Sequence, residues 1–151
     1  MLNASSETKA NPARSLGQTL RQLFASSTDA APDVRLQVKN LTRDAVIGRS
    51  VEVANTSAKR RKGLLGRAGL SQGEGLWISP CESVHTVGMQ FPIDLVYLDR
   101  SNRVKKVKHA VPAWRLSGCL TAHSVIELPA GTNRETGTKP GDQLDLSPAN
   151  Q

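Results

Sequence analysis

The sequence predicts a mainly β domain: an antiparallel sandwich or jelly-roll-like fold, or a partly closed barrel, carrying one main α-helix at about residues 56–66. Three observations lead to that expectation. Short apolar stretches recur from Val34 to Leu146, and each is bounded by turn-forming residues. Eight prolines and twelve glycines punctuate a chain of 151 residues, a density that suits many tight turns. One segment alone carries a convincing helix signature, with strand signals on both sides of it and no repeated strand–helix alternation, which disfavours a doubly wound sheet. The aromatics are Phe24, Trp77, Phe91, Tyr97 and Trp114, so Val, Leu and Ile must build the core.

Residues 1–32 are rich in Ser, Ala, Asn and Thr and read as a flexible N-terminal tail. Within it Leu16, Leu20 and Leu23 fall on one helical stripe, interrupted by Gly17. The segment is too short to be a stable helix alone and reads as tail or as a nascent helix that forms only against a partner or the domain. Residues 33–147 form the expected single β-rich domain and 148–151 a short tail. A folded region of roughly 115–120 residues hides about two-thirds of its unfolded surface, enough for a core without staples.

Val34, Leu36 and Val38 alternate with Arg35, Gln37 and Lys39, the period of a half-exposed strand. A turn at 41–44 leads to a second extended stretch at 45–54. Asn55-Thr56-Ser57 supplies an N-cap, and the helix that follows ends at Gly63 and Gly66. Residues 69–75 form a Gly-rich loop, and Leu76-Trp77-Ile78 is a short strand stopped by Pro80. Ser83–Met89 reads as extended. Ile93–Leu98 is apolar on both faces, as in a central strand covered on both sides, and Asp94 lies beside Val96 and Leu98. The turn 99–102 and the return 104–111 complete a hairpin. Val125–Leu128, closed by Pro129-Ala130-Gly131, and Leu144–Leu146 are the last strands.

The formal charge is +7, and it is unevenly placed: residues 33–68 carry +6 and 99–120 carry +5, around a middle segment, 69–98, of −3. Such basic segments fit an anionic partner or solvated faces. No stretch approaches the roughly 20 apolar residues of a membrane span. The first thirty residues hold no apolar run of signal-peptide length, so the expected location is cytoplasmic and the two cysteines, Cys81 and Cys119, are expected reduced. They form no C-x-x-C pair.

The blocks Arg61-Lys62-Gly63-Leu64-Leu65-Gly66-Arg67, Gly75-Leu76-Trp77-Ile78, Cys81-Glu82-Ser83-Val84-His85-Thr86-Val87-Gly88-Met89-Gln90-Phe91-Pro92-Ile93-Asp94, Glu127-Leu128-Pro129-Ala130-Gly131 and Gly141-Asp142 resemble, in order, the family catalogued as domain of unknown function 192. The resemblance covers about residues 34–147. It implies a compact β-rich fold with a packed helix, and it implies no activity.

Cys81, His85 and Met89 are spaced four apart, and two sulfurs with an imidazole would suit a soft metal. Val84, Thr86 and Val87, between Pro80 and Gly88, favour extended structure, in which four residues span roughly 13 Å, so no shared metal is expected. No phosphate-cradling glycine motif is present, and no cofactor is expected. Asp94 and Glu127 are acids inside apolar strands, where a carboxylate needs a partner. Arg61 and Arg67 are the nearest charged candidates, and Asp94 is expected to bond backbone amides or an arginine of the 61–67 segment. Trp114, beside Arg115 in a loop, is a candidate stacking residue. The expected cleft therefore comprises Arg61, Arg67, His85, Asp94, Trp114 and Glu127, with no assigned catalytic residue.

Three functions follow from these residues. The first is a noncatalytic binding or accessory module for a polar or anionic ligand or a protein partner, acting as a monomer. The second is a small hydrolase-like enzyme using His85 with Asp94 or Glu127. The third is a nonspecific nucleic-acid binder acting through Lys59–Lys62 and Arg103–Lys108.

Overall fold

The computed structural model describes residues 33–149, so the Leu16–Leu23 stripe lies outside the described residues. The domain is mainly β, as the sequence predicts. Nine strands appear in the order β1 (Arg35–Asn40), β2 (Ala45–Ala54), β3 (Glu74–Ile78), β4 (Ser83–His85), β5 (Ile93–Leu98), β6 (Val104–Val111), β7 (Leu116–Gly118), β8 (Ser124–Pro129) and β9 (Leu144–Pro148). Helix α1 (Ser57–Lys62) follows β2, and a one-turn helix α2 (Thr132–Glu135) follows β8.

Seven strands form one sheet in the order β6-β5-β8-β3-β2-β1-β9, and β4 pairs with β7 in a separate ribbon. The sheet curls into a half-barrel. At its ends Arg103 bridges antiparallel to Gln143, Val104 N donates to Asp142 O at 2.9 Å, and Leu144 N donates to Asn102 O at 3.0 Å. These bonds satisfy edge groups that an open sheet would leave bare. The pairing is antiparallel except between β2 and β3, which run parallel because α1 forms the crossover between them. The sequence, read for repeated alternation, does not reveal this single β-α-β unit.

Side-chain alternation along the central strands divides the core in two. Leu36, Val38, Val51, Val96, Leu98, Ile126, Leu128 and Leu144 pack on one face, where the curled ends meet. Ile93, Leu95, Tyr97, Val125, Leu76 and Ile78 lie on the other, beneath Leu64, Met89 and the half-buried Cys81 and Val84. β5 and β8 are buried at every position, the expected signature of central strands.

α1 is shorter than the 56–66 expected. Thr56 caps it, its hydroxyl accepting from Lys59 N at 3.2 Å, and Gly63 ends it at φ +49° with its N–H on Lys59 O. Beyond Gly63 the chain turns so that Leu64 is buried on the core, which a continued helix would not allow. Extended structure at 83–89 is likewise confined to 83–85, because Gly88 turns the chain at φ +79°. α2 was not expected. Near it, Asn40 Nδ2 donates to Asp142 Oδ2 at 2.9 Å and Arg43 Nε to the same oxygen at 3.1 Å, tying the end of β1 to the loop before β9. Burial would raise the Asp142 pKa, but these donors and the Lys139 amide outweigh it and hold the carboxyl below its usual range.

Candidate functional site

The register places Glu52, Leu76, Glu127 and Leu95 in one row across β2, β3, β8 and β5. Paired residues share a face, so two carboxylates project toward the side covered by α1 and the β4–β7 ribbon. Glu52 lies at the margin and is well partnered. Arg67 clamps it through both guanidinium nitrogens at 2.9 and 2.8 Å, and Arg35 adds a bond at 3.0 Å. The Arg67 bonds hold the Glu52 carboxyl below its usual range.

Glu127 is different. It is 4% exposed, and its Oε2 meets no donor among the described residues. Burial, opposed only by the distant charge of Arg67, pushes its pKa up to about 7. Glu127 is one of the residues that line a pocket of about 360 Å³. Arg60, Arg61 and Lys62 of α1 supply cations at its mouth, His85 of β4 lines it with them, and Leu64, Leu65, Ile78, Val84 and Met89 supply apolar wall. Cys81 also lines the pocket. Its thiol is pushed up by burial, with Glu127 acting in the same direction, so it is a protonated, weak nucleophile at neutral pH.

Three of the six residues expected in the cleft, Arg61, His85 and Glu127, therefore meet around one cavity. The other three do not. Arg67 is committed to Glu52 in a neighbouring depression. Asp94 is fully buried and alternates to the opposite face of β5, where its oxygens accept from Ala110 N at 2.7 Å and Asn133 N at 2.8 Å. Backbone amides, not an arginine, solve its burial. Trp114 projects from the loop before β7 and is 67% exposed. Cys81, His85 and Met89 all border the pocket, but among the described residues no group of three His, Cys, Asp or Glu side chains is placed to hold a metal ion. Arg60 and Lys62, expected only in a nucleic-acid-binding run at 59–62, and Leu64, which carries no sequence signal for a site, join the cavity as well.

The family model for domain of unknown function 192 (DUF192), described as an uncharacterised ACR, matches residues 38–146. The chain belongs to the DUF192 family. No curated protein matches it at significant similarity. Among solved structures, a protein of unknown function from Novosphingobium aromaticivorans is similar to this DUF192 domain with a TM-score of 0.66 at 22% identity, covering 79% of this chain and 89% of that one. A protein provisionally named a transcription regulator from Sinorhizobium meliloti also gives a TM-score of 0.66, at 19% identity, covering 76% of this chain and 93% of that one. At these identities the DUF192 fold is what is shared.

Proposed function

We propose that this DUF192 domain is a noncatalytic binding module, and that its pocket takes a small molecule carrying an anionic group at one end and a hydrogen-bond donor at the other. The observation that carries this reading is Glu127, a buried pocket-lining acid whose Oε2 has no partner among the described residues. A buried acceptor left without a donor is costly, and a ligand that supplies one recovers that cost. Arg60, Arg61 and Lys62 at the rim favour an anionic group there, and the apolar wall suits a short hydrocarbon between the two ends. Of the two acids a hydrolase could pair with His85, Asp94 faces away and is bonded to backbone amides; Glu127 lines the same pocket as His85, and catalysis by that pair is the second reading.

The test is a calorimetric and amide-NMR titration with 6-aminohexanoate, hexanoate and hexylamine. Millimolar affinity is expected of probes this small. The zwitterion should bind more tightly than either single-ended probe, moving the amides of Gly63, Cys81 and His85, and Glu127→Gln should weaken it. Equal response to all three probes, or shifts that avoid these amides, would refute the reading.

A further inference from the structure

A second surface borders the pocket mouth and shares His85 and Leu65 with it. In the β4–β7 ribbon His85 pairs with Leu116 and Val84 with Ser117. Val84 packs inward on the core, so the alternate pair, His85 and Leu116, faces out. Leu116 is 84% exposed. The adjoining loops are locked to each other: Trp114 N donates to Thr86 O at 3.0 Å, and Arg115 N donates to Thr86 Oγ1 at 2.9 Å. That lock holds the backbone of exposed Trp114 beside Thr86, whose chain neighbour is exposed Val87. Leu65, also exposed, reaches the same turn, its Cδ2 lying 3.5 Å from where a Cβ on Gly88 would be. Trp114 is held at φ +62°, a conformation unfavourable for a residue with a side chain. A strained, rigidly anchored Trp beside exposed Leu and Val is not what a solvated loop requires.

Cations predominate around this tip, with Glu82 at the far end of the ribbon. The sequence contains no Asp or Glu from 57 to 73, from 83 to 93, or from 100 to 126. Within those stretches Arg60, Arg61 and Lys62 stand on the rim that Leu65 and His85 share, Arg115 sits between Trp114 and Leu116, and Lys106 Nζ donates to Gly118 O at the end of β7. Exposed aliphatic and indole side chains surrounded by cations match the interface of an anionic bilayer, where the ring sits at headgroup level and the basic residues meet lipid phosphates. Nucleic acid would use the cations and Trp114 but would leave Leu116, Val87 and Leu65 without a role.

We propose that the tip formed by Val87, Trp114 and Leu116, with Leu65, docks the domain onto the surface of an anionic membrane. No described helix is long and apolar enough to cross one, and the proposed contact is peripheral. It does not depend on the pocket reading: Glu127→Gln, which tests the pocket, should leave membrane binding unchanged.

The experiment uses the full chain with vesicles of phosphatidylcholine alone and of phosphatidylcholine mixed with phosphatidylglycerol. Co-sedimentation is read together with quenching of tryptophan emission by lipid brominated on the acyl chain. Binding is expected only with phosphatidylglycerol, weakening as salt rises. Quenching should disappear in Trp114→Ala and persist in Trp77→Phe. Leu116→Ser, on an exposed strand position, should fold normally by circular dichroism and lower the partition coefficient about tenfold. Failure to bind either vesicle would overturn the proposal. So would binding that Trp114→Ala and Leu116→Ser leave unchanged, or Trp114-dependent binding to a single-stranded oligonucleotide without binding to vesicles.

Discussion

Glu127→Gln separates the effect of the pocket-lining carboxyl on stability from everything else in the chain. In the folded protein this group keeps its proton up to about pH 7, whereas an unburied Glu releases it near 4.5. Between those values the folded state binds more protons than the unfolded state, so stability falls as pH rises through the window and the effect is complete above it. A displacement of this size corresponds to about 3 kcal/mol, from roughly 1.4 kcal/mol per pKa unit. Gln has the shape of the protonated acid and does not titrate. Urea unfolding of both chains at about pH 5 and about pH 8 gives the double difference directly. Relative to wild type, the variant should gain about 2.5 kcal/mol on going from the lower to the higher pH, the rest of the effect being already present at about pH 5. Glu52 and Asp142, whose pKa values are lowered, lose their contribution only at more acidic pH and do so in both chains. Equal losses in wild type and variant between the two pH values would refute the claim that Glu127 is buried without a partner.

Other substitutions test the framework around the site. Asp94→Asn puts an amide NH₂ where one of two backbone N–H donors now meets a carboxylate oxygen, and it should cost about 2–4 kcal/mol in chemical denaturation; a loss under about 0.5 kcal/mol would contradict the assigned bonds. Arg67→Met removes a partly exposed bidentate clamp on Glu52 and should cost about 1 kcal/mol at low salt and less at high salt, measured as a shift in urea midpoint. Gly75→Ala would place a Cβ 2.9 Å from the Glu127 carbonyl oxygen and 3.0 Å from Leu128 Cδ2, and should lower stability by about 1–3 kcal/mol because the β3–β8 backbone cannot yield.

The strands were legible in the sequence because their alternation is set by burial, which acts locally on each residue. Ile93–Leu98, apolar on both faces with Asp94 beside Val96 and Leu98, is the clearest case, and its side-chain assignment follows from period alone. The companions of the buried acids were not legible. Backbone amides of Ala110 and Asn133 leave no sequence signature, since any residue supplies them. Arg67 was marked as a cation near the sheet, but whether it reaches Glu52 or Glu127 depends on strand order, and the parallel β2–β3 pair puts Glu52 nearest. For the same reason Arg61, His85 and Glu127 could be named as candidates from their types, while the pocket they border needs α1 and the ribbon folded over β8. Trp114 is legible as a candidate from its chemistry. Its place near Val87 and Leu116 rests on the Thr86 hydrogen bonds, which join residues 28 and 29 apart in sequence.

The binding reading stands on a donor from the ligand reaching the Glu127 carboxyl. A carbon-13 carboxyl NMR titration follows that group alone, with pH varied in the presence and absence of 6-aminohexanoate. An ammonium beside this carboxyl should lower the Glu127 pKa from about 7 by about one unit or more. An unchanged titration midpoint at saturating probe would contradict it.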